Sequence, residues 1–242
     1  MVSIEQVDER VHDVPYMQLE QAKILQELWE TCPEGDILEL GFAHGKGSAF
    51  LGALASARGG QATCVDNPTA RHRDPSAPDV VKAAGVDDAV DLVFAEDGYL
   101  WWMKQQLEAG NAQRFSLIYL DGAHDWFIDG FAVLMLSYFL KPGGILVLDD
   151  LDWSFSISRA PDIVERVTSM SPDVATQHHI RKVWELLIQP DPSWGELREI
   201  SNWAIARRLS SIEDRGAIER IVIRPSPREF LRGAASLVRR KT

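Results

Sequence analysis

The chain has 242 residues, 45% of them hydrophobic and 25% charged, with a net charge of −11. At roughly 150 residues per domain this length gives one or two domains, with enough apolar material to close a core without disulfides or a structural metal. The acidic balance disfavours a nucleic-acid partner, because affinity for a phosphate backbone is largely neutralisation by Lys and Arg. The charge is uneven: from residue 207 onward, ten Lys or Arg stand against four Asp or Glu. Cys32 and Cys64 are the only cysteines and lack metal-ligand spacing, so a reducing, cytoplasmic setting is expected. The opening stretch MVSIEQVDER is acidic and has no apolar core, so no secretory leader is expected. The longest strongly apolar run, 131–140, is far short of the roughly 20 residues that span a bilayer, and no membrane partner is expected.

A helix is predicted at 17–31, where Leu25, Leu28 and Trp29 share one face. Residues 1–35 thus read as a helical cap. From 36 to about 150, strands at 36–40, 62–66, 90–95, 116–121 and 145–149 alternate with helices at 48–57, 79–84, 99–109 and 126–140. The runs at 36, 116 and 145 are nearly continuous in Ile, Leu and Val, the composition of strands buried on both faces of a parallel sheet. Repeated strand–helix units of this kind imply a doubly wound α/β sheet with helices on both faces. After 150 the alternation stops. Residues 151–193 read as a long connection with a helix at 177–188, and with 1–15 they are placed as a lid over the substrate. An antiparallel pair, 194–200 with 203–208, closes a domain spanning 36–208. Residues 209–242 read as a basic helical tail. His178 and His179 have no acidic partners in sequence and read as surface residues.

The segment ILELGFAHGKGSAF runs strand, glycine-rich turn, helix. Gly41, Gly45 and Gly47 permit a tight turn and close backbone approach to a ligand. Their spacing is neither the G-x-G-x-x-G of dinucleotide-binding folds nor the phosphate loop. Glu39 sharpens the distinction, since a carboxylate there repels a pyrophosphate and suits a cationic ligand. The second strand ends at Asp66-Asn67, where an acid can accept from both ribose hydroxyls. The third ends at Glu96-Asp97-Gly98, with Asp97 placed for an adenine amino group. Strand-end acids also serve as helix caps. Together, however, these features outline an adenosine site with a positive charge at its other end.

These residues make the chain resemble a class I S-adenosylmethionine-dependent methyltransferase over about residues 15–208. It is most similar to the metal-dependent small-molecule O-methyltransferases of the catechol and macrolide-sugar (macrocin/mycinamicin) types. The resemblance implies a Rossmann-like sheet, mostly parallel with a final antiparallel strand. It implies S-adenosylmethionine as cofactor, held by Glu39, Gly41, Phe42, Ala43, Gly45, Gly47, Ser48, Asp66, Asn67, Glu96, Asp97, Gly98 and Asp121.

Strand four runs into Asp121 and strand five into Asp149-Asp150. Parallel strands bring these ends side by side, and three carboxylates cannot share a small site as anions without a cation or raised pKa values. Oxygen ligands of this kind suit Mg²⁺. The resembling families place metal ligands at these strand ends, which assigns the ion to Asp121, Asp149 and Asp150. They also carry a D-x-x-H loop that Asp121-Gly122-Ala123-His124 matches, implying His124 as general base. Ala123 departs from the second Asp that many relatives have there. Asp125 and Asp152 read as outer or solvated groups.

Four of the eight tryptophans, Trp101, Trp102, Trp126 and Trp153, follow strand ends and are expected on the cofactor rim or in the core. The acceptor implied is a hydroxyl of a small molecule, with a sugar or glycosylated natural product favoured. Two alternatives remain at this point: a nicotinamide-dependent oxidoreductase, which Glu39 and the glycine spacing oppose, and a non-catalytic methyltransferase-like binding module, which the intact acid set opposes. Some relatives carry a cephalosporin hydroxylase label. Assembly into homo-oligomers is compatible with all of these readings.

Overall fold

In the computed structural model, which describes residues 1–112, 114–159 and 161–209, seven strands form one sheet. β1 (Asp36–Leu40), β2 (Ala62–Asp66), β3 (Val90–Phe94), β4 (Phe115–Leu120) and β5 (Leu140–Leu148) are parallel. β6 (Trp194–Ile200) and β7 (Trp203–Arg208) form the antiparallel pair, with β7 inserted beside β5. The order across the sheet is β3-β2-β1-β4-β5-β7-β6. The direction of winding reverses between β1 and β4, so the carboxyl ends of β1, β2, β4 and β5 face one crevice, the usual ligand position in such sheets.

Period-two alternation decides which helices each strand residue meets. Ile37, Leu117, Ile145 and Ile205 pack against α1 (Ile4–Val11), α2 (Leu19–Glu30), α3 (Lys46–Ala57) and α4 (Ala77–Ala84). Leu38, Ile118, Leu146 and Ala206 pack against α5 (Gly98–Glu108), α6 (Trp126–Phe139) and α9 (His179–Val183), which continues as a π-helical turn over Trp184–Ile188. Both faces are therefore covered, as the Ile/Leu/Val runs require. Between β5 and α9 lie the short helices α7 (Pro161–Val167) and α8 (Pro172–Thr176).

Several boundaries differ from expectation. α1 lies in a stretch predicted only as part of a cap. Its basis is Ser3, whose hydroxyl accepts from the Gln6 amide (3.3 Å) while the Gln6 side chain accepts from the Ser3 amide (3.0 Å). This reciprocal cap starts the helix, and Ile4, Val7 and Val11 bury one face of it. Residues 4–11 are thus core-packed rather than part of a lid. β5 begins at Leu140, directly after α6, because Leu140 already pairs with Phe115 of β4; the register then shifts across Lys141-Pro142-Gly143-Gly144 and pairing resumes at Ile145. The expected lid is divided: Ile180, Val183, Trp184 and Ile188 are buried in the core, and only its earlier part borders the crevice. His179 is buried rather than exposed. It accepts from the Trp126 amide at Nδ1 (3.0 Å) and lies 2.8 Å through Nε2 from the Val174 carbonyl, pinning α8 to the start of α6. The basic tail predicted from 209 lies, beyond Leu209, outside the described residues. No helix among those described is long and apolar enough to cross a membrane.

Phe50 on α3 is fully buried between the helical layer and the sheet. Phe50→Ala removes a ring from a close-packed position and is expected to cost about 3–5 kcal/mol, read as a lower urea midpoint at unchanged slope.

Candidate active site

A cavity of about 950 Å³ opens at the carboxyl ends of β1, β2, β4 and β5. Its floor is the loop from β1 to α3. Gly41 sits at φ +89°, and a Cβ there would meet the Asp121 carbonyl oxygen at 1.9 Å, so this turn and the β4 end fit together only with glycine. Gly47 is needed for another reason: a Cβ would lie 2.5 Å from Glu39 Oε1. Glu39 is 1% exposed, accepts from the Ser48 hydroxyl, and has its pKa raised to about 7 by burial. A buried carboxyl bordering a cavity favours a cationic ligand. Lys46, 2% exposed at the start of α3, also borders the cavity, and its ammonium donates to the His12 carbonyl at 3.2 Å. The cavity floor therefore pairs a carboxyl with an ammonium.

Asp66 stands at the tip of β2. Its Oδ2 accepts from the amides of Phe42 (3.0 Å) and Ala43 (2.9 Å), and its Oδ1 from the amide (2.7 Å) and side chain (2.9 Å) of Asn67. Four donors fill the lone-pair capacity of a carboxylate. Asp66 thus holds the glycine loop, in which Ala43 adopts φ +45°. Asp97 and Gly98 border the cavity at the start of α5, and the Asp97 side chain does not cap that helix. Glu96 is exposed and outside the cavity wall. Ser48 and Gly45 support the floor from below without lining it.

At the other end, Asp121 follows β4 and Asp149-Asp150 follow β5. The Asp121 amide donates to Leu40 (2.9 Å) and the Asp149 amide to Leu120 (3.0 Å), which aligns the three strand ends. His124, at φ +52°, reaches back between them: its Nε2 lies 3.3 Å from Asp150 Oδ2 and 3.7 Å from Asp121 Oδ1. Asp121, His124 and Asp150 each offer one ligand atom, all within 4.8 Å of one another. Asp149 is turned away from this group. Its Oδ2 accepts from the Tyr119 hydroxyl and its Oδ1 from the Asp150 amide (2.6 Å).

Burial raises all three aspartates, and Asp121 most, with the neighbouring charges of Asp149 and Asp150 adding to it. Asp121 is a third exposed, but toward the cavity rather than open solvent. Burial lowers the pKa of His124, outweighing the pull of Asp129 and Asp149. The donor set and its unrelieved repulsion fit a divalent cation.

Sequence reasoning missed the supports of this cluster. The Tyr99 hydroxyl donates to Asp129, which is fully buried and accepts from the Asp125 amide (3.0 Å), so α5 and α6 together hold the 121–125 loop. Asn202, in the turn between β6 and β7, donates to Asp150 Oδ1 at 3.0 Å. Nothing in the sequence links it to a residue 52 positions away. Asp125 caps α6 and pairs with Arg166, while Asp152 pairs with Arg181 (2.6 Å). Of the four rim tryptophans only Trp153 lines the cavity, its ring 4.9 Å from that of His124. Trp102 is half-buried, stacking on Phe139 at the edge of the core, and Trp101 is half-exposed.

A seven-stranded sheet in this order, with glycine loop and strand-end acids on one cavity, is the class I S-adenosylmethionine-dependent methyltransferase fold. Residues 38–151 match the family model of a methyltransferase domain. The fold is similar to that of the O-methyltransferase TomG from Streptomyces achromogenes, involved in tomaymycin synthesis and solved with S-adenosylmethionine. The two are 20% identical, with 86% of this chain and 88% of that one covered and a TM-score of 0.57. An O-methyltransferase from Bacillus cereus bound to S-adenosylhomocysteine gives 20% identity, 85% and 90% coverage, and 0.57. MycE methyltransferase of the mycinamycin biosynthetic pathway, solved with Mg and S-adenosylhomocysteine, gives 15% identity, 97% and 59% coverage, and 0.54. The sequence matches no curated protein.

Glu39 supplies a test of the cavity floor in the ligand-free protein. Its pKa is raised on folding, so its contribution is intact below about pH 4.5 and is lost as pH rises through about 7. Glu39→Gln should therefore gain stability relative to wild type on going from pH 5 to pH 8, by on the order of 3 kcal/mol. Urea unfolding of both proteins at the two pH values measures it; an unchanged difference would place the carboxyl in contact with bulk water.

Proposed function

We propose that the protein is an O-methyltransferase that moves a methyl group from S-adenosylmethionine to a hydroxyl of a small molecule with the help of a divalent cation. The observation that carries this reading is one cavity with a Glu39/Lys46 floor at one end and the Asp121–His124–Asp150 cluster at the other. At about 950 Å³ it has room for both the cofactor and an acceptor.

The cofactor would lie over Gly41–Gly47, with Glu39 to meet its amino group, Lys46 its carboxylate and Asp97 its adenine. Asp66 takes the ribose hydroxyls once the exposed Asn67 side chain gives up its place on Oδ1. Asp121 and Asp150 would hold the cation, and Asp149 would join them on releasing Tyr119. Mg²⁺ suits such oxygen ligands, which leaves the imidazole of His124 free. A cation held there would lower the pKa of an acceptor hydroxyl. His124 then takes the hydroxyl proton as the oxygen attacks the sulfonium methyl: the new O–CH₃ bond forms as the S–CH₃ bond breaks. Asp121 and Asp150 stabilise the imidazolium that results. The Trp153 ring beside His124 offers a stacking face for a sugar or other cyclic acceptor. The place of MycE in the mycinamycin biosynthetic pathway favours a natural-product acceptor.

Calorimetry with S-adenosylhomocysteine tests the cofactor end. Wild type binds it and does not bind a nicotinamide dinucleotide, and Asp66→Ala weakens binding by about 1.5–3 kcal/mol. Full affinity in Asp66→Ala would remove Asp66 from the ribose.

Turnover of a hydroxylated acceptor panel tests the other end. Chelation should abolish turnover and Mg²⁺ restore it. His124→Ala should lower kcat about 10²–10⁴-fold with cofactor and Mg²⁺ affinity intact. Loss of Mg²⁺ affinity in that variant would make His124 a ligand instead of the base.

A further inference from the structure

The outer face of α6 carries an apolar stripe that the cavity does not use. Phe127, Phe131, Leu134 and Tyr138 are 73%, 54%, 53% and 47% exposed, and Leu186 in the π-helical turn packed beside α6 is 58% exposed. The α6 residues are spaced four, three and four apart, which is the spacing of a seam that a single partner helix fills. The 14 residues of α6 contain one acid or base, Asp129, and it is fully buried on the opposite side against Tyr99. A helix facing water normally carries polar and charged side chains on that face.

We propose that a second copy of this chain packs its own α6 antiparallel on this stripe and forms a twofold dimer. The stripe is symmetric about its midpoint, between Ala132 and Val133. Reversing one copy therefore sets Phe127 against the partner's Tyr138 and Phe131 against the partner's Leu134, large side chain on large side chain along the whole seam. Self-complementarity of this kind is what a closed, isologous interface requires, and an unrelated partner helix has no reason to select it. The absence of outward charge also lets two identical faces meet without like-charge repulsion.

The area is sufficient. An aromatic side chain offers 150–250 Å², so half-to-three-quarter exposure leaves roughly 100 Å² each, and on the order of 500 Å² over the five side chains. That lies in the upper part of the ~300–600 Å² range of the largest apolar patch on a monomer, a size often tied to function, and supplies more than half of the ~800 Å² that each partner gives to a stable interface.

Sedimentation or light scattering of the full chain from 1 to 100 μM tests this, and a species of twice the chain mass is expected. Phe131→Glu and Leu134→Glu place charges next to the twofold axis and should each shift the equilibrium to monomer by at least 100-fold. Neither residue lines the cavity, so S-adenosylhomocysteine affinity and the folded far-UV spectrum should hold, which separates this proposal from the catalytic one. Cysteine pairs fix the direction, because Cys32 and Cys64 are both buried. Phe127→Cys combined with Tyr138→Cys should cross-link across an antiparallel pair, while Phe127→Cys alone should not, the two copies of 127 then lying ~16 Å apart along the helix. A chain that stays monomeric over the whole range overturns the proposal and leaves the stripe to another partner. A dimer that survives both glutamate substitutions, or cross-linking by Phe127→Cys alone, overturns it as well.

Discussion

Burying a carboxylate is costly unless its charge is neutralised or its lone pairs are filled, and this chain gathers four of them, Glu39, Asp121, Asp149 and Asp150, at the ends of three adjacent strands. Parallel strand pairing makes this unavoidable. Once β1, β4 and β5 align, any acid at a strand tip sits beside the next. The protein manages the load unevenly. Glu39 is held by Ser48, Asp149 by Tyr119 and Asp150 by Asn202, while Asp121 keeps its repulsion. A group left in that state is poised to take a cation or a proton, so the electrostatic cost and the proposed chemistry are one property of the sheet edge.

The loops at that edge carry backbone strain in the same places. Ala43, His124 and Asp150 all have positive φ without being glycine, and such conformations persist only where surrounding contacts over-determine them. Here those contacts can be named. Asp66 grips the amides of Phe42 and Ala43, Tyr99 and Asp129 brace the loop around His124, and Asn202 holds Asp150. The result is a cavity whose polar groups are pre-aimed, as a site that must bind charge without reorganising requires.

The cavity walls come from segments distant in the chain. Tyr16 and Met17 close it from the α1–α2 connection, and Trp153 and Arg166 from the region after β5. These segments are anchored by packing: α1 lies against α3 and α4, and His179 ties α8 to α6. The cavity walls therefore rest on loops fixed by the core at both ends.

Much of this was legible in the sequence, because its physical basis is local. The Ile/Leu/Val runs, the glycine spacing after Glu39 and the acids at 66, 97, 121 and 149–150 depend on chain periodicity and on the rule that strand ends face the crevice, so the sheet, its final antiparallel pair and the cavity edge followed. The capping box at Ser3–Gln6 was equally local and was overlooked. Direction and partner choice were another matter. A strand-end aspartate can point at a ligand or at a neighbour, and only the packing of Tyr119 against β5 turned Asp149 aside and let His124 join Asp121 and Asp150. Asp66 was recognisable as an acid at the right strand tip, yet its four donors come from a loop some 24 residues earlier and from the next residue. The burial of His179, the reach of Asn202 and the exposed seam on α6 arise from contacts between elements distant in sequence. No spacing encodes those contacts, because they depend on how two completed layers meet across the sheet.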